Sequence, residues 1–122
     1  MHYRRGTVNF GTTSATIDFG ESQRYDNSAA QAAVALLDNG LALEVHSASN
    51  GMLFSRVGQP STSDSAIIEW HPKRLVDPDI GEYPAIATNR AYAVEIHQSA
   101  DTVTDLFYSV AEVGDLENSI AE

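Results

Sequence analysis

The chain has 122 residues, of which 43% are hydrophobic, and its 17 acidic and 7 basic side chains give a formal net charge of −10. The length predicts one small domain and the apolar content excludes a disordered chain, while the negative charge disfavours nucleic acid and anionic membranes as partners. The lack of cysteine excludes disulfides and thiolate metal sites, and no apolar run approaches the roughly 18–20 residues that span a bilayer.

The predicted elements are short strands. Apolar and polar residues alternate at period two, most clearly around Leu43, Glu44 and Val45, which predicts strands with one apolar and one polar face. The pairs Asn39-Gly40 and Asn50-Gly51 predict hairpin turns, and loops are predicted at residues 58–64 and 77–81. In chain order, strands are predicted near residues 3–8, 15–19, 33–37, 41–47, 53–57, 66–70, 85–88, 92–98, 106–111 and 118–121.

Residues 28–37 also have a helical interpretation, because alanine has a high helix propensity and Asn27 or Ser28 is a suitable N-cap. The segment that matches it later in the chain, residues 81–87, contains Pro84 and reads as a loop followed by a strand. A strand is therefore favoured over a helix.

The chain repeats itself with a shift of about 51 residues. The heptapeptide at residues 41–47, Leu-Ala-Leu-Glu-Val-His-Ser, matches Tyr-Ala-Val-Glu-Ile-His-Gln at residues 92–98, and Ile17-Asp18-Phe19 matches Ile68-Glu69-Trp70. A fixed period of this size indicates stacked units, none of which buries its apolar face alone. One repeat domain over residues 1–122 is predicted, made of a half-unit (1–27), unit one (28–76) and unit two (77–122).

Four-stranded units of this length are typical of β-propeller blades. The motifs Tyr25-Asp26, Glu44-Val45-His46 and Ile68-Glu69-Trp70 resemble bacterial lectin-like propeller repeats and, more loosely, tachylectin-type carbohydrate-binding propellers. The predicted fold is all-β, with four-stranded antiparallel propeller-type blades, about two and a half per chain. Because a ring needs at least about four blades, we expect oligomerisation to complete it, as a dimer or larger.

Two Glu-x-His pairs, Glu44/His46 and Glu95/His97, are the sharpest polar feature. Residues two apart on a strand share a face, so each carboxylate lies beside its imidazole. A structural hydrogen bond or a solvated strand face is the favoured interpretation, and contacts to a ligand or a metal ion are the alternatives. One pair alone offers too few ligands for a metal, so no metal and no cofactor are assigned.

Aromatic residues at strand ends suggest a sugar site, because aromatic rings stack on the apolar faces of sugars. Phe19 and Trp70 occupy matching positions, and the loops after them are the predicted site at the boundary between units; a core position for Trp70 is the alternative. The predicted ligand-binding residues are Phe19, Tyr25, Asp26, Glu44, His46, Trp70, His71, Asp77, Glu95 and His97.

Signature motifs of enzymes are missing from the sequence, including the nucleophile elbow, the phosphate-binding glycine loop and the His-Glu-x-x-His zinc motif. We therefore predict a non-enzymatic, lectin-like module whose partners are carbohydrate and further copies of itself, without nucleic acid or a membrane span. A protein-interaction or structural propeller without a sugar site is the first alternative, and a glycan-active hydrolase is the second. No secretory signal is predicted, and the compartment is left open.

Overall fold

A computed structural model describes residues 1–24, 26, 29–64, 66–99, 105–112 and 114. Within these ranges the chain is all-β, its strands pair antiparallel, and no helix is long and apolar enough to cross a membrane. The strands are β1 (His2–Tyr3), β2 (Gly6–Phe10), β3 (Ala15–Phe19), β4 (Gln23–Arg24), β5 (Ala29–Leu36), β6 (Ala42–Ala48), β7 (Met52–Pro60), β8 (Ile68–Trp70), β9 (Arg74–Thr88), β10 (Tyr92–Ser99) and β11 (Leu106–Glu112).

Most strands belong to one open sheet. Its order is β11-β10-β9-β7-β6-β5, with β8 beside β7, and the half-unit adds the pairs β1-β4 and β2-β3. The all-β, antiparallel prediction is thus confirmed. Across the described residues the sheets do not close into a barrel or a propeller ring.

The sequence repeat is also a repeat of strand pairing. The paired residues His2 and Arg24 of the half-unit correspond to the paired residues Phe54 and Leu75 of unit one. Likewise β2 and β3 pair Gly6 with Phe19, as β7 and β8 pair Gly58 with Trp70. The half-unit therefore copies the outer part of unit one, but no described strand stands where β5 and β6 stand in unit one.

The predicted turns and most predicted strands are confirmed. Gly40 and Gly51 have φ of 87° and 85°, as expected for the Asn-Gly turns, and side chains of Asn39 and Asn50 accept hydrogen bonds from backbone N–H groups two residues on. Residues 29–36 form a strand, so the helical interpretation is wrong. The strand predicted at residues 118–121 lies outside the described residues.

The loop predicted at residues 77–81 is wrong, because this segment belongs to the long strand β9. Residues 74–80 pair with β7 and residues 81–88 pair with β10. The pairing of β9 with β7 is irregular, with register shifts on both sides of Leu53. The loop predicted at residues 58–64 likewise begins later, since β7 continues to Pro60.

The core lies between the two full units. Leu43 and Val57 of unit one form a buried cluster with Ala93 of unit two, and Ile86 packs against it. At the edge of this contact the side chain of Thr88 donates a hydrogen bond to the carbonyl of Leu36. The face of β6 that carries Leu43 thus covers the face of β10 that carries Ala93, and the units stack in the same orientation.

Candidate functional site

Each Glu-x-His pair is buried and joined by a hydrogen bond. In β6 the Nδ1 atom of His46 lies 2.9 and 3.0 Å from the two carboxylate oxygens of Glu44. In β10 the corresponding distances from His97 to Glu95 are 3.0 and 3.1 Å. All four side chains are shielded from solvent. The alternating pattern of β10 therefore buries the face that carries Glu95 and His97 and exposes the face that carries Val94.

An aspartate stands on the other side of each imidazole. Asp26 Oδ2 lies 3.6 Å from His46 Nε2, and Asp77 Oδ2 lies 3.3 Å from His97 Nε2. Both aspartates precede their histidine by the same spacing in the sequence. The fold thus brings together, in each full unit, three of the predicted site residues as a Glu-His-Asp cluster.

A phenylalanine lies over each imidazole, a contact that the sequence did not single out. The rings of His46 and Phe54 are 6.0 Å apart at 28°, and those of His97 and Phe107 are 5.8 Å apart at 21°. Lys73 Nζ lies 5.1 Å from the centre of the Phe54 ring and 3.3 Å from Asp26 Oδ2. The sequence repeat could have predicted this contact, because it aligns Leu53-Phe54 with Leu106-Phe107.

Burial controls the electrostatics of the cluster in unit two. Loss of solvation raises the pKa of Glu95 above its ordinary value; attraction to His97 and the hydrogen bond from its ring act in the opposite direction, and Asp77 adds a small upward contribution. Because the side chain is closed off from water, this carboxyl group serves to hold the imidazole. Among the described residues no group of three His, Asp or Glu side chains is arranged to hold a metal ion.

The raised pKa of Glu95 predicts a pH-dependent stability. The folded state binds the Glu95 proton more tightly than the unfolded chain, so this contribution is fully present below the unfolded pKa and is lost as pH rises through the folded pKa. We expect the stability of the wild type relative to Glu95→Gln to decrease as the pH rises from about 4 to about 8. Urea unfolding across this range measures the difference.

Glu69→Gln is the matched control, because Glu69 is exposed in β8. Its stability should follow the wild type at a constant offset over the same range. Parallel curves for wild type and Glu95→Gln would contradict the assigned role of burial.

The two candidate aromatic residues occupy equivalent places. Phe19 lies over Gly6 and Trp70 lies over Gly58, so closely that a Cβ atom on either glycine would come within 3.0 Å of the ring. Trp70 also meets Tyr3 edge-on at 5.8 Å, and it is partly buried where the half-unit contacts unit one. Phe19 is 60% exposed.

An open cavity of about 620 Å³ lies between the half-unit and unit one. Phe19, Trp70 and Glu44 contribute to its walls. His71 follows Trp70, and its backbone N–H donates a hydrogen bond to the carbonyl of Val57. Tyr25 lies outside the described residues.

Comparisons with protein-family models, with curated proteins and with solved structures find no match to this chain. The lectin-like resemblance of the motifs therefore remains a prediction.

Proposed function

We propose that this protein is a non-enzymatic, lectin-like module that binds carbohydrate at the loops following Phe19 and Trp70. The observation that carries the proposal is the repeated placement of an aromatic ring at the end of an outer strand pair, each time beside an exposed polar loop. An aromatic surface beside polar groups is the combination that sugar rings require. Affinity for each site is expected to be weak and to rise through multivalency.

The buried clusters support a binding role over a catalytic one. A glycosidase needs two carboxyl groups with different roles and access to the substrate. Glu44 and Glu95 are buried and each is held by its own histidine in the same way. We infer that the Glu-His-Asp clusters stabilise the units and leave ligand binding to exposed positions.

The proposed architecture is a propeller-type ring of four-stranded blades, completed by further copies of the chain. The stacking of unit one on unit two in the same orientation supports this arrangement, since blades in a propeller follow one another in this way. The alternative function, a protein-interaction module, is supported by the apolar side chains that unit two exposes, because such side chains can bind another protein. In that alternative the ligand is protein and no sugar binds.

A glycan array with the purified protein tests the sugar site. We expect Phe19→Ala to reduce binding at least tenfold while the protein stays folded, because the ring is largely exposed. Phe10→Ala is the control: Phe10 is 84% exposed in the same hairpin and away from the loop, and its loss should leave binding unchanged.

Trp70→Ala tests the equivalent position in unit one. Loss of binding with retained fold supports the ring as a platform. The proposal fails if the wild type binds no glycan, or if both Phe19→Ala and folded Trp70→Ala bind as the wild type does.

A further inference from the structure

The cavity between the half-unit and unit one is much larger than the space left between unit one and unit two. The two volumes are about 620 Å³ and about 110 Å³. Strand topology gives the reason, because no described strand of the half-unit stands where β5 and β6 stand in unit one. The half-unit therefore covers β5 only in part. The volume that remains lies within the range of about 300–1,000 Å³ that small-molecule sites occupy.

The walls of this cavity are largely apolar and are not packed against each other. The half-unit contributes Ile17 and Phe19, and unit one contributes Val34 and Leu36. All four side chains are between 55% and 71% exposed. In unit two, by contrast, the counterpart of Val34 is Ile86, which packs against the core. Exposed apolar side chains that gather in one cavity mark a site for an apolar ligand.

Positive charge is concentrated in the same walls. Arg4 and Arg5 both line the cavity, and neither forms an ion pair with a described carboxylate. The guanidinium of Arg5 donates hydrogen bonds to the backbone carbonyls of Ser61 and Ile67, at 3.1 and 3.4 Å. Among the described residues that line the cavity, Glu44 is the only acidic one. The walls thus carry an excess of positive charge in a chain whose net charge is −10.

We propose that this cavity binds an amphipathic anion, an alkyl chain with one anionic head group. The chain lies between the apolar walls, and the head group lies beside Arg4 and Arg5, because guanidinium groups form charge-assisted hydrogen bonds with anionic oxygens. The proposal does not depend on the sugar site. Phe19 borders both sites, so the tests below leave it unchanged.

Trp70 provides a direct measurement, since it lines the cavity and is the only tryptophan of the chain. Titration with sodium decanoate below its micelle concentration should change the Trp70 fluorescence and reach saturation. Burial of each further methylene group raises affinity about fourfold, so decanoate should bind about fifteenfold more tightly than octanoate.

Decyltrimethylammonium tests the charge of the head group with the same length of chain. The net charge of the protein favours this cation, whereas the two arginines favour decanoate. We expect decanoate to bind roughly tenfold more tightly or better, the usual effect of one hydrogen bond between charged groups. Arg4→Gln should lower the affinity for decanoate about tenfold and should not weaken decyltrimethylammonium. Arg4 is exposed, so the fold should be unaffected.

Leu36→Asp tests the apolar wall. Leu36 is 71% exposed, so the substitution should leave the fold intact, and it should lower the affinity for decanoate roughly tenfold or more, because it removes apolar surface and adds a like charge. Val8→Asp is the matched control. It adds the same charge at an exposed valine of β2 that does not line the cavity, and it should bind decanoate as the wild type does.

Three results would overturn the proposal: no saturable fluorescence change in the wild type, equal affinities for decanoate and decyltrimethylammonium, or equal affinities of Leu36→Asp and Val8→Asp for decanoate. If Leu36→Asp does not fold, the head-group comparison and Arg4→Gln decide the question. Decanoate binding without glycan binding would refute the sugar site alone, and glycan binding without decanoate binding would refute this site alone.

Discussion

His46→Ala should lower the free energy of unfolding by about 3 kcal/mol, because it removes the hydrogen-bond partner of a buried carboxyl group, which costs about 1–3 kcal/mol, and also removes a buried ring. The His46 side chain is 0% exposed and lies between the carboxylates of Glu44 and Asp26. Its removal leaves two carboxylates close together and shielded from solvent, and it also leaves a cavity beneath Phe54. Urea unfolding measures the change.

Two histidines serve as controls for this result. His2 is exposed on β1, so His2→Ala should change stability by less than about 0.5 kcal/mol. His97→Ala should again be strongly destabilising, but less so, because Asp77 is more exposed than Asp26. If His46→Ala is as stable as His2→Ala, the cluster does not stabilise the fold.

Leu53→Ala should cost about 3 kcal/mol, within the range for buried leucines, whereas Leu106→Ala should cost less than about 0.5 kcal/mol. These leucines are repeat counterparts with opposite environments: Leu53 is 0% exposed and Leu106 is 75% exposed. Leu53 lies between β6 and β9, while among the described strands Leu106 has only β10 beside it. Equal losses for the two variants would show that unit two is covered in solution.

Local patterns were sufficient for the strands and turns. Period-two alternation and the Asn-Gly pairs predicted β6, β10 and both hairpins, because these signals depend on neighbouring residues only. The loop prediction for residues 77–81 is wrong because the structure of this segment depends on pairing with residues far away in the sequence. Pro78 and the aspartates read as a loop, but pairing with β7 through register shifts keeps the segment in β9.

Which strand faces are buried, and how the Glu-His-Asp clusters are assembled, depend on contacts between residues that are far apart in the sequence. Alternation in β10 separates Val94 from Glu95 but does not say which face is covered, because that depends on how the units stack. The Glu-x-His pairs were visible in the sequence. Their aspartates, Asp26 and Asp77, are predicted from the sequence as ligand-binding residues and not as partners of the histidines, because Asp26 and His46 are far apart in the sequence and only the fold brings them together.

The long strand β9 has a consequence for how this protein unfolds. Its first half is paired to unit one and its second half to unit two, so one uninterrupted backbone segment is shared by both. In repeat proteins stability divides into the intrinsic stability of each unit and the coupling between neighbours. A shared strand makes the coupling large, because neither unit can lose its sheet without disturbing the other. The two units should therefore unfold cooperatively, as one thermodynamic body.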